Sequence, residues 1–452
     1  MISSIAFIII FVSAFTFFIF KVFKIRRNIL LGRDIDLSGN KGQRFKTMMM
    51  VAFGQSKMAA RPVPFILHFF IYSAFLITQI ELIEIVIDGS SDHHRIIWHW
   101  VEGTFMGSIY TFTINFIEKL SAGAFVATII FLSRRNILKL PRFKKPEMKG
   151  WPSKDANLIL FGELALVTCI MLMNSSDVAL QRLDVFHKTD TFIVSSAIAN
   201  LWSGLSVDTL MLMERIGWWG HLFGILGFMV YLPFSKHFHI FLAFPNTYYT
   251  YLKPKGQLTN IAAVTTEVKL MLDPNADPYA VPTPDANAAP VKFGAKDIHD
   301  LTWKNLMDAY SCTECGRCTS ECPANQTGKK LSPRKIMMDT RDRMEEVGKN
   351  IDKKGKEHQD GKSLLGDYIS EEELWACTSC NACVQACPVN INPLEIIIEL
   401  RRDLIMEQSK SPSSISTMLN NIQNNGAPWQ FSPMDRANWA NELMSESESK
   451  KS

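Results

Sequence analysis

Eight of the chain's nine cysteines fall into two copies of one pattern. The first, CTECGRCTSECP, supplies Cys312, Cys315, Cys318 and Cys322; the second, CTSCNACVQACP, supplies Cys377, Cys380, Cys383 and Cys387. Each reads C-x2-C-x2-C-x3-C-P, the run that holds [4Fe-4S] cubanes in bacterial ferredoxins. The chemistry is one-electron transfer. Three thiolates of one short loop reach a single four-iron cube, and the fourth, beyond a turn, points to the other cube. That assigns Cys312, Cys315, Cys318 and Cys387 to one cluster, and Cys377, Cys380, Cys383 and Cys322 to the other. Zinc sites pair C-x2-C units without the trailing C-P, and disulfides are disfavoured in a cytoplasmic domain. Two cubanes in one small domain make a wire, not a catalytic pocket. Cys169 stands alone in an apolar run and reads as a small buried hydrophobe.

Imidazoles are the second group that could do chemistry. The stretch GHLFGILGFMVYLPFSKHFH (220–239) carries His221, His237 and His239 in an otherwise apolar background. His221 and His239 are five turns apart on a continuous helix, which places them on one face ~27 Å apart along the axis. His237 falls about 160° away from His221 and reads as an interfacial residue. Pro233 lies between and can bend the helix. His68 starts another apolar run, FILHFFIYSAFLI, of opposite direction, so His68 and His239 come to similar depth and suit a b-haem between them. For His221 the candidate neighbours are His93, His94 and His99 in DHHRIIWHW; a second haem, a quinone contact and an ordinary polar interface all remain open.

The elements that must position these groups follow from the apolar residues. The chain has 452 residues, 47% of them hydrophobic, and a net charge of +4, which gives no argument for nucleic acid. Nearly all long uncharged runs precede residue 245. MISSIAFIIIFVSAFTFFIF is long enough for ~30 Å of hydrocarbon; without a basic n-region or a cleavage site it reads as a retained span, not a removed signal peptide. Four more spans are predicted at 64–87, 107–132, 156–176 and 216–244, after a first at 1–20. Segments 21–61 and 134–154 carry ten and eight Lys/Arg, against one and two in 88–100 and 176–214. The positive-inside bias then sets the N-terminus out and the C-terminal part in the cytoplasm, in a bacterial inner membrane.

After the membrane domain (1–252), residues 253–295 read as a linker rich in Pro, Ala and Asp. A helical two-cluster domain is expected at 296–408, followed by a polar, disordered tail at 409–452. Within the tail, MLNNIQNNGAPWQFSPMDRANWA (418–440) sets aromatic residues in a polar background, as a docking strip for a partner would. The fold class expected is all-α: a five-helix transmembrane cytochrome b bundle followed by a ferredoxin-like domain with two [4Fe-4S] clusters. Inside the spans, Glu118 and Lys119, Glu163, and Glu81 and Glu84 are ionisable groups that could exchange protons with a quinone. Glu118 and Lys119 would instead lie at the interface if the third span began later.

HLFGILGFMVYLPFSKHFHIF resembles the last helix of the respiratory nitrate reductase membrane cytochrome b subunit and of its relative in membrane-bound heterodisulfide reductase. In that family two histidines matching His221 and His239 ligate haem. The family's second helix carries two more ligands ten residues apart; the first matches His68, whereas this chain has Thr78, beside Gln79, at the second. CTECGRCTSECPANQTGKKLSPRKIMMDTRDRM and NGAPWQFSPMDRANWA are similar to segments of heterodisulfide reductase-like proteins and of the membrane-bound electron-transfer-flavoprotein:menaquinone oxidoreductases. The resemblance implies an oxidoreductase subunit passing electrons between a soluble partner, two clusters, haem b and menaquinone. Relatives often continue into cysteine-rich CCG domains. No cysteine follows Cys387, so the expectation is a separate CCG-type subunit, with electron-transfer flavoprotein as the favoured donor. The rival reading is a membrane anchor and relay without its own quinone site, serving a heterodisulfide reductase-like or lactate- or glycerol-phosphate-oxidising complex. A redox sensor would need an output domain, and none is visible.

Overall fold

The computed structural model describes residues 2–91, 94–189, 192–275 and 292–449. Among them there is no strand, only two isolated bridges. The helices in chain order are α1 (Ile2–Ile29), α2 (Lys41–Met48), α3 (Pro62–Ile77), α4 (Gln79–Ser91), α5 (Ile96–Val101), α6 (Phe105–Asn136), α7 (Trp151–Arg182), α8 (Ile193–Ala199), α9 (Val207–Tyr231) and α10 (His239–Tyr248). Beyond these come α11 (Ala262–Leu272), α12 (Trp303–Tyr310), α13 (Arg317–Ser320), α14 (Pro323–Gln326), α15 (Pro333–Lys354), α16 (Glu371–Trp375), α17 (Ala382–Ala386), α18 (Pro393–Arg402), α19 (Ser413–Asn425) and α20 (Asn438–Ser449). The chain divides into one unit of residues 1–258 and 297–397 and a second of 259–296 and 398–452.

Among the described residues, five helical segments are long and apolar enough to cross a membrane: Ser4–Ile29, Pro62–Ser91, Phe105–Asn136, Trp151–Arg182 and Val207–Phe234. Helix is the only open-chain form that satisfies its own backbone in lipid, so these largely apolar runs have no alternative. The Thr104 hydroxyl caps α6 by accepting from Gly107 N at 3.3 Å, and Ser206 does the same for α9. Both caps lie beyond the start expected from hydropathy alone. The third span therefore begins at Phe105, and Glu118 lies within it rather than at an interface.

The fifth span departs from a single helix. Helix α9 ends at Tyr231, and two 3-10 turns follow, Leu232–Phe234 and Lys236–Phe238, separated by Ser235 in an extended conformation (φ −113°, ψ 151°). Pro233 has no N–H to give and its ring crowds the preceding turn. The Ser235 hydroxyl accepts from His237 N at 3.1 Å and starts the chain again towards α10. The helical phase that set His221 and His239 on one face does not run through this break. Two further expectations also change. The linker at 253–295 contains α11, and residues 276–291 of it lie outside the described residues. The polar tail, expected to be disordered, forms α19 and α20, the latter through Ser449.

Helices α7 and α9 form the tightest pair in the bundle. A Cβ on Gly217 of α9 would stand 2.6 Å from Met173 N and 2.8 Å from Cys169 O of α7. Close approach through a small residue is how helices gain contact in lipid, where burial of apolar surface contributes little. Both obstructing atoms are backbone, so no rotamer change relieves them. Gly217→Ala is expected to destabilise the bundle by about 1–3 kcal/mol, read as a lower melting midpoint in detergent. Gly227→Ala, which meets nothing within 4 Å, is expected to leave the midpoint unchanged.

The cysteine-bearing part of the first unit docks on the Lys/Arg-rich ends of the spans. Asn28 near the end of α1 donates to the Tyr310 hydroxyl at 3.1 Å, and Lys24 pairs with Asp352 at 2.6 Å. The backbone of Arg33 exchanges hydrogen bonds with Leu301 O (2.7 Å) and Trp303 N (3.0 Å). In the loop between α6 and α7, Glu147 takes the fully buried Arg334 of α15 at 2.7 Å. The second unit has its own hydrogen bonds, Phe293 N to Glu407 at 2.7 Å and Ala295 N to Glu399 O at 2.9 Å.

Candidate redox site

Each cysteine loop is shaped by two left-handed residues at equivalent places. In the first they are Glu314 (φ 53°) and Gly316 (φ 72°); in the second, Ser379 (φ 57°) and Asn381 (φ 61°). Such residues reverse the chain within one step, so the three cysteines of a loop turn towards one centre. Cys322 and Cys387 each precede a proline, Pro323 and Pro388, and leave their loops in extended backbone.

The structure brings the eight thiols into two neighbouring groups. Cys318 faces Cys315, Cys312 and Cys387, with Cys383 of the other group beyond. Cys387 faces Cys315 and accepts from Ile391 N at 3.3 Å. Cys383 faces Cys377, Cys322 and Cys380. Each trailing cysteine thus stands with the opposite loop. Cys312, Cys322, Cys383 and Cys387 are buried, whereas Cys380 is exposed. Burial pushes the Cys312 and Cys383 thiols up to about 12 and Cys387 up to about 11, and neighbouring sulfurs add to the effect. Thiols that cannot ionise unaided are suited to ligate iron, whose charge replaces their protons. Among the described residues no three His, Cys, Asp or Glu side chains close to the spacing of a single metal ion; ligands on the corners of a cube stand farther apart.

At the membrane end, His68 lies within electrostatic range of His239. His68 Nδ1 meets Gln55 Oε1 at 3.0 Å, and His239 Nδ1 meets the Lys236 carbonyl at 3.0 Å. An oxygen acceptor on Nδ1 fixes the proton there and leaves the Nε2 lone pair for a metal, the usual outer-shell arrangement of a ligating histidine. Gln55 is buried and holds φ 49°. It was not legible in the sequence, since only the fold brings it beside His68.

His237 departs from the phase expected of a continuous helix. Its ring lies 5.7 Å from that of His239 and within range of His68. The broken helix, not the phase of a continuous one, sets the direction of its ring. His221 Nδ1 meets Leu166 O at 3.0 Å, which also leaves Nε2 free. Thr78, at the position of the expected partner, turns its hydroxyl back to Ala74 O at 2.7 Å, and Gln79 binds Phe75 O at 2.8 Å. The outer histidines have other contacts: His94 lies 3.8 Å from Asp177, and the His99 ring packs 5.8 Å from His187. His93 lies outside the described residues.

The membrane acids form a buried polar network that the sequence reading saw only as isolated carboxylates. Arg95 donates to Asp177 at 2.8 Å and Asn174 at 2.9 Å, and Tyr110 donates to Glu84 at 2.6 Å. Glu118 accepts from Val194 N and Ser195 N at the start of α8. Glu81 is buried beside Glu84 and Arg95, and Glu163 is half-buried beside Thr128.

One ion pair joins the two ends of the site. Lys236, between Ser235 and His237, donates to Glu314 at 2.7 Å and to Pro152 O at 2.6 Å. Glu314 lies between Cys312 and Cys315 and also accepts from Arg341 at 2.8 Å. Burial raises the Glu314 carboxyl, but Lys236 and Arg341 beside it more than reverse this and hold it below the usual range.

Residues 311–391 match the family described as a 4Fe-4S dicluster domain. The chain is 28% identical over 446 residues to the probable iron-sulfur-binding oxidoreductase FadF of Bacillus subtilis, covering 92% of this chain and 57% of the relative. It is 27% identical over 457 residues to the EtfAB:quinone oxidoreductase of Syntrophomonas wolfei, covering 95% of this chain and 58% of that protein. A probable membrane-anchored ferredoxin of Chromohalobacter salexigens is 31% identical over 174 residues, 35% of this chain and 26% of the relative. No solved structure matches. The chain is similar to membrane-associated iron–sulfur oxidoreductases along nearly its whole length, and it spans under two thirds of the first two relatives it matches.

Proposed function

We propose that this chain is the membrane electron-transfer subunit of a quinone-linked oxidoreductase. Cys312, Cys315, Cys318 and Cys387 would hold one [4Fe-4S] cluster, and Cys377, Cys380, Cys383 and Cys322 the other. His68 and His239 would hold a b-haem; His221 is the candidate for a second. The clusters and haem supply one-electron storage when bound. The chain's own residues order the path. Cys380 is the exposed member of the cysteine set, which suits the second loop to meet a soluble partner. Lys236 ties the first loop to the segment that carries His239. The observation that carries the reading is this direct bridge between cysteine loop and imidazole segment. The proposed donor is electron-transfer flavoprotein acting through a CCG-type iron–sulfur subunit, with menaquinone as acceptor in a bacterial inner membrane. Docking of the cysteine-rich part on the Lys/Arg-rich span ends supports a cytoplasmic location for it.

A pyridine haemochrome assay tests the haem. His68→Ala is expected to lose one haem b and keep full iron and acid-labile sulfide in the clusters; retention of haem in that variant refutes the His68–His239 assignment. Reduction of the haem by a menaquinol analogue, in purified protein without partners, tests for a quinone site in this chain. No reduction would favour the reading as a relay alone.

A further inference from the structure

Charge is shared unequally between the two cysteine loops. From Leu374 to Leu394 the chain has no Asp, Glu, Lys or Arg, while the first loop holds Glu314, Arg317 and Glu321. Folding sharpens the difference. Arg142 and Arg334 pack on Gly316, where a Cβ would stand 3.6 Å from Arg142 Cβ and 2.5 Å from Arg334 Nη1. Lys57 donates to Asn390 Oδ1 at 2.9 Å and reaches Val384 O at 3.4 Å, which sets its ammonium beside Cys387. Arg317 donates to Lys57 O at 3.3 Å and faces Cys315 and Cys387; Arg142 faces Cys315.

Four other cations nearby are matched. Glu147 takes Arg334, Glu314 takes Lys236 and Arg341, and Glu321 takes Arg61. Lys57, Arg142 and Arg317 are different: among the described residues, the anionic groups they face are thiol sulfurs of the first cluster's set. The guanidinium groups of Arg142 and Arg317 also repel one another and Arg61. Three half-buried or buried cations gathered without carboxylates raise each other's energy unless an anion lies between them.

We propose that Lys57, Arg142 and Arg317 form a cation collar that holds the cluster of Cys312, Cys315, Cys318 and Cys387 at a higher reduction potential than its neighbour. The proposal rests on the two-cluster reading above. An added electron makes a cluster more negative, and in a low-dielectric site a nearby cation stabilises the reduced form. One electron would pass from the reduced second cluster to the oxidised first, with no bond or proton changed. The first loop is the one joined to Lys236 and the imidazole segment, so the gradient runs from the soluble partner towards the membrane.

The test is a redox titration of the purified full chain followed by EPR, with iron and sulfide measured alongside. Two waves are expected. Cys380→Ser, which alters a ligand of the second cluster, should change the spectrum of the lower-potential species. Arg142→Gln should move the upper wave down by about a tenfold change in the electron equilibrium, ~59 mV for one electron, and leave the lower wave in place. Lys57→Gln should do the same and Lys57→Arg should not, which separates charge from packing. The collar is refuted if the upper wave belongs to the second cluster, or if neutralising Arg142 or Lys57 shifts both waves equally or neither. Less than two clusters' worth of iron in the unaltered protein would refute the two-cluster reading instead.

Discussion

Cys387→Ala is expected to empty the cluster of the first loop, not the second, and to lower iron from about eight to about four per chain. The reason lies in where the two trailing cysteines stand. Cys387 follows the second loop in sequence but faces Cys315 of the first, and Cys322 faces Cys383 of the second. A sequential assignment, four cysteines of one run per cluster, makes the opposite prediction. Double variants separate the two. With crossed ligation, Cys387→Ala combined with Cys318→Ala damages one site twice and still leaves about four irons. With sequential ligation the same pair damages both sites and leaves none. Cys322→Ala with Cys383→Ala is the mirror experiment. The effect of each single loss is large because the thiols are buried and stay protonated without iron, so three remaining ligands have no ready fourth.

What the sequence made legible followed from local rules. Cysteine spacing is a covalent pattern, and the loops keep it: left-handed residues recur at the same two places in each copy, Glu314 and Gly316, then Ser379 and Asn381. The five spans were legible because an uncharged run in lipid has no alternative to helix. The failures came where tertiary contact overrides local pattern. Helical phase predicted that His237 points away from His239, and the break from Leu232 to Phe238 sets their rings 5.7 Å apart. Pro233 marked the site of the break but not its form; Ser235 chose that, by capping the next turn. Gln55 and Lys57 lie outside every motif and enter the site only because the turn before α3 folds under the cysteine loops. The membrane carboxylates were visible one by one. Their assembly around Arg95 depends on α4, α5 and α7 meeting, which no single segment encodes. The SESES run is polar enough to suggest disorder, yet α20 continues through it to Ser449.

Lys236→Met is expected to cost about 3 kcal/mol and to loosen the imidazole segment from the first cysteine loop. The side chains of Lys236 and Glu314 are 6% and 3% exposed, so water cannot replace the lost partner. Breaking a buried pair from one side typically costs about 3–5 kcal/mol, because the remaining charge stays buried. The lower figure applies because each stranded carboxylate keeps other donors. Glu314 retains Arg341 at 2.8 Å, and Asp155 retains Tyr231 at 2.5 Å and Ser235 at 2.6 Å. Glu314→Gln removes the counter-charge of Lys236 and Arg341 together, but it should cost less, since Lys236 keeps Pro152 O at 2.6 Å and Asp155 at 3.7 Å, Arg341 keeps Asp342 at 3.6 Å, and the amide oxygen still accepts. The order of melting midpoints should therefore be unaltered protein, Glu314→Gln, then Lys236→Met. A midpoint for Lys236→Met equal to that of the unaltered protein would show that this bridge does not hold the two ends of the site together. Spectra decide whether the bridge also serves function. If Lys236 fixes the segment through its carbonyl on His239 Nδ1, the band of the haem proposed at His68 and His239 should shift in Lys236→Met at temperatures where both proteins are folded. A change in stability alone would confine Lys236 to docking.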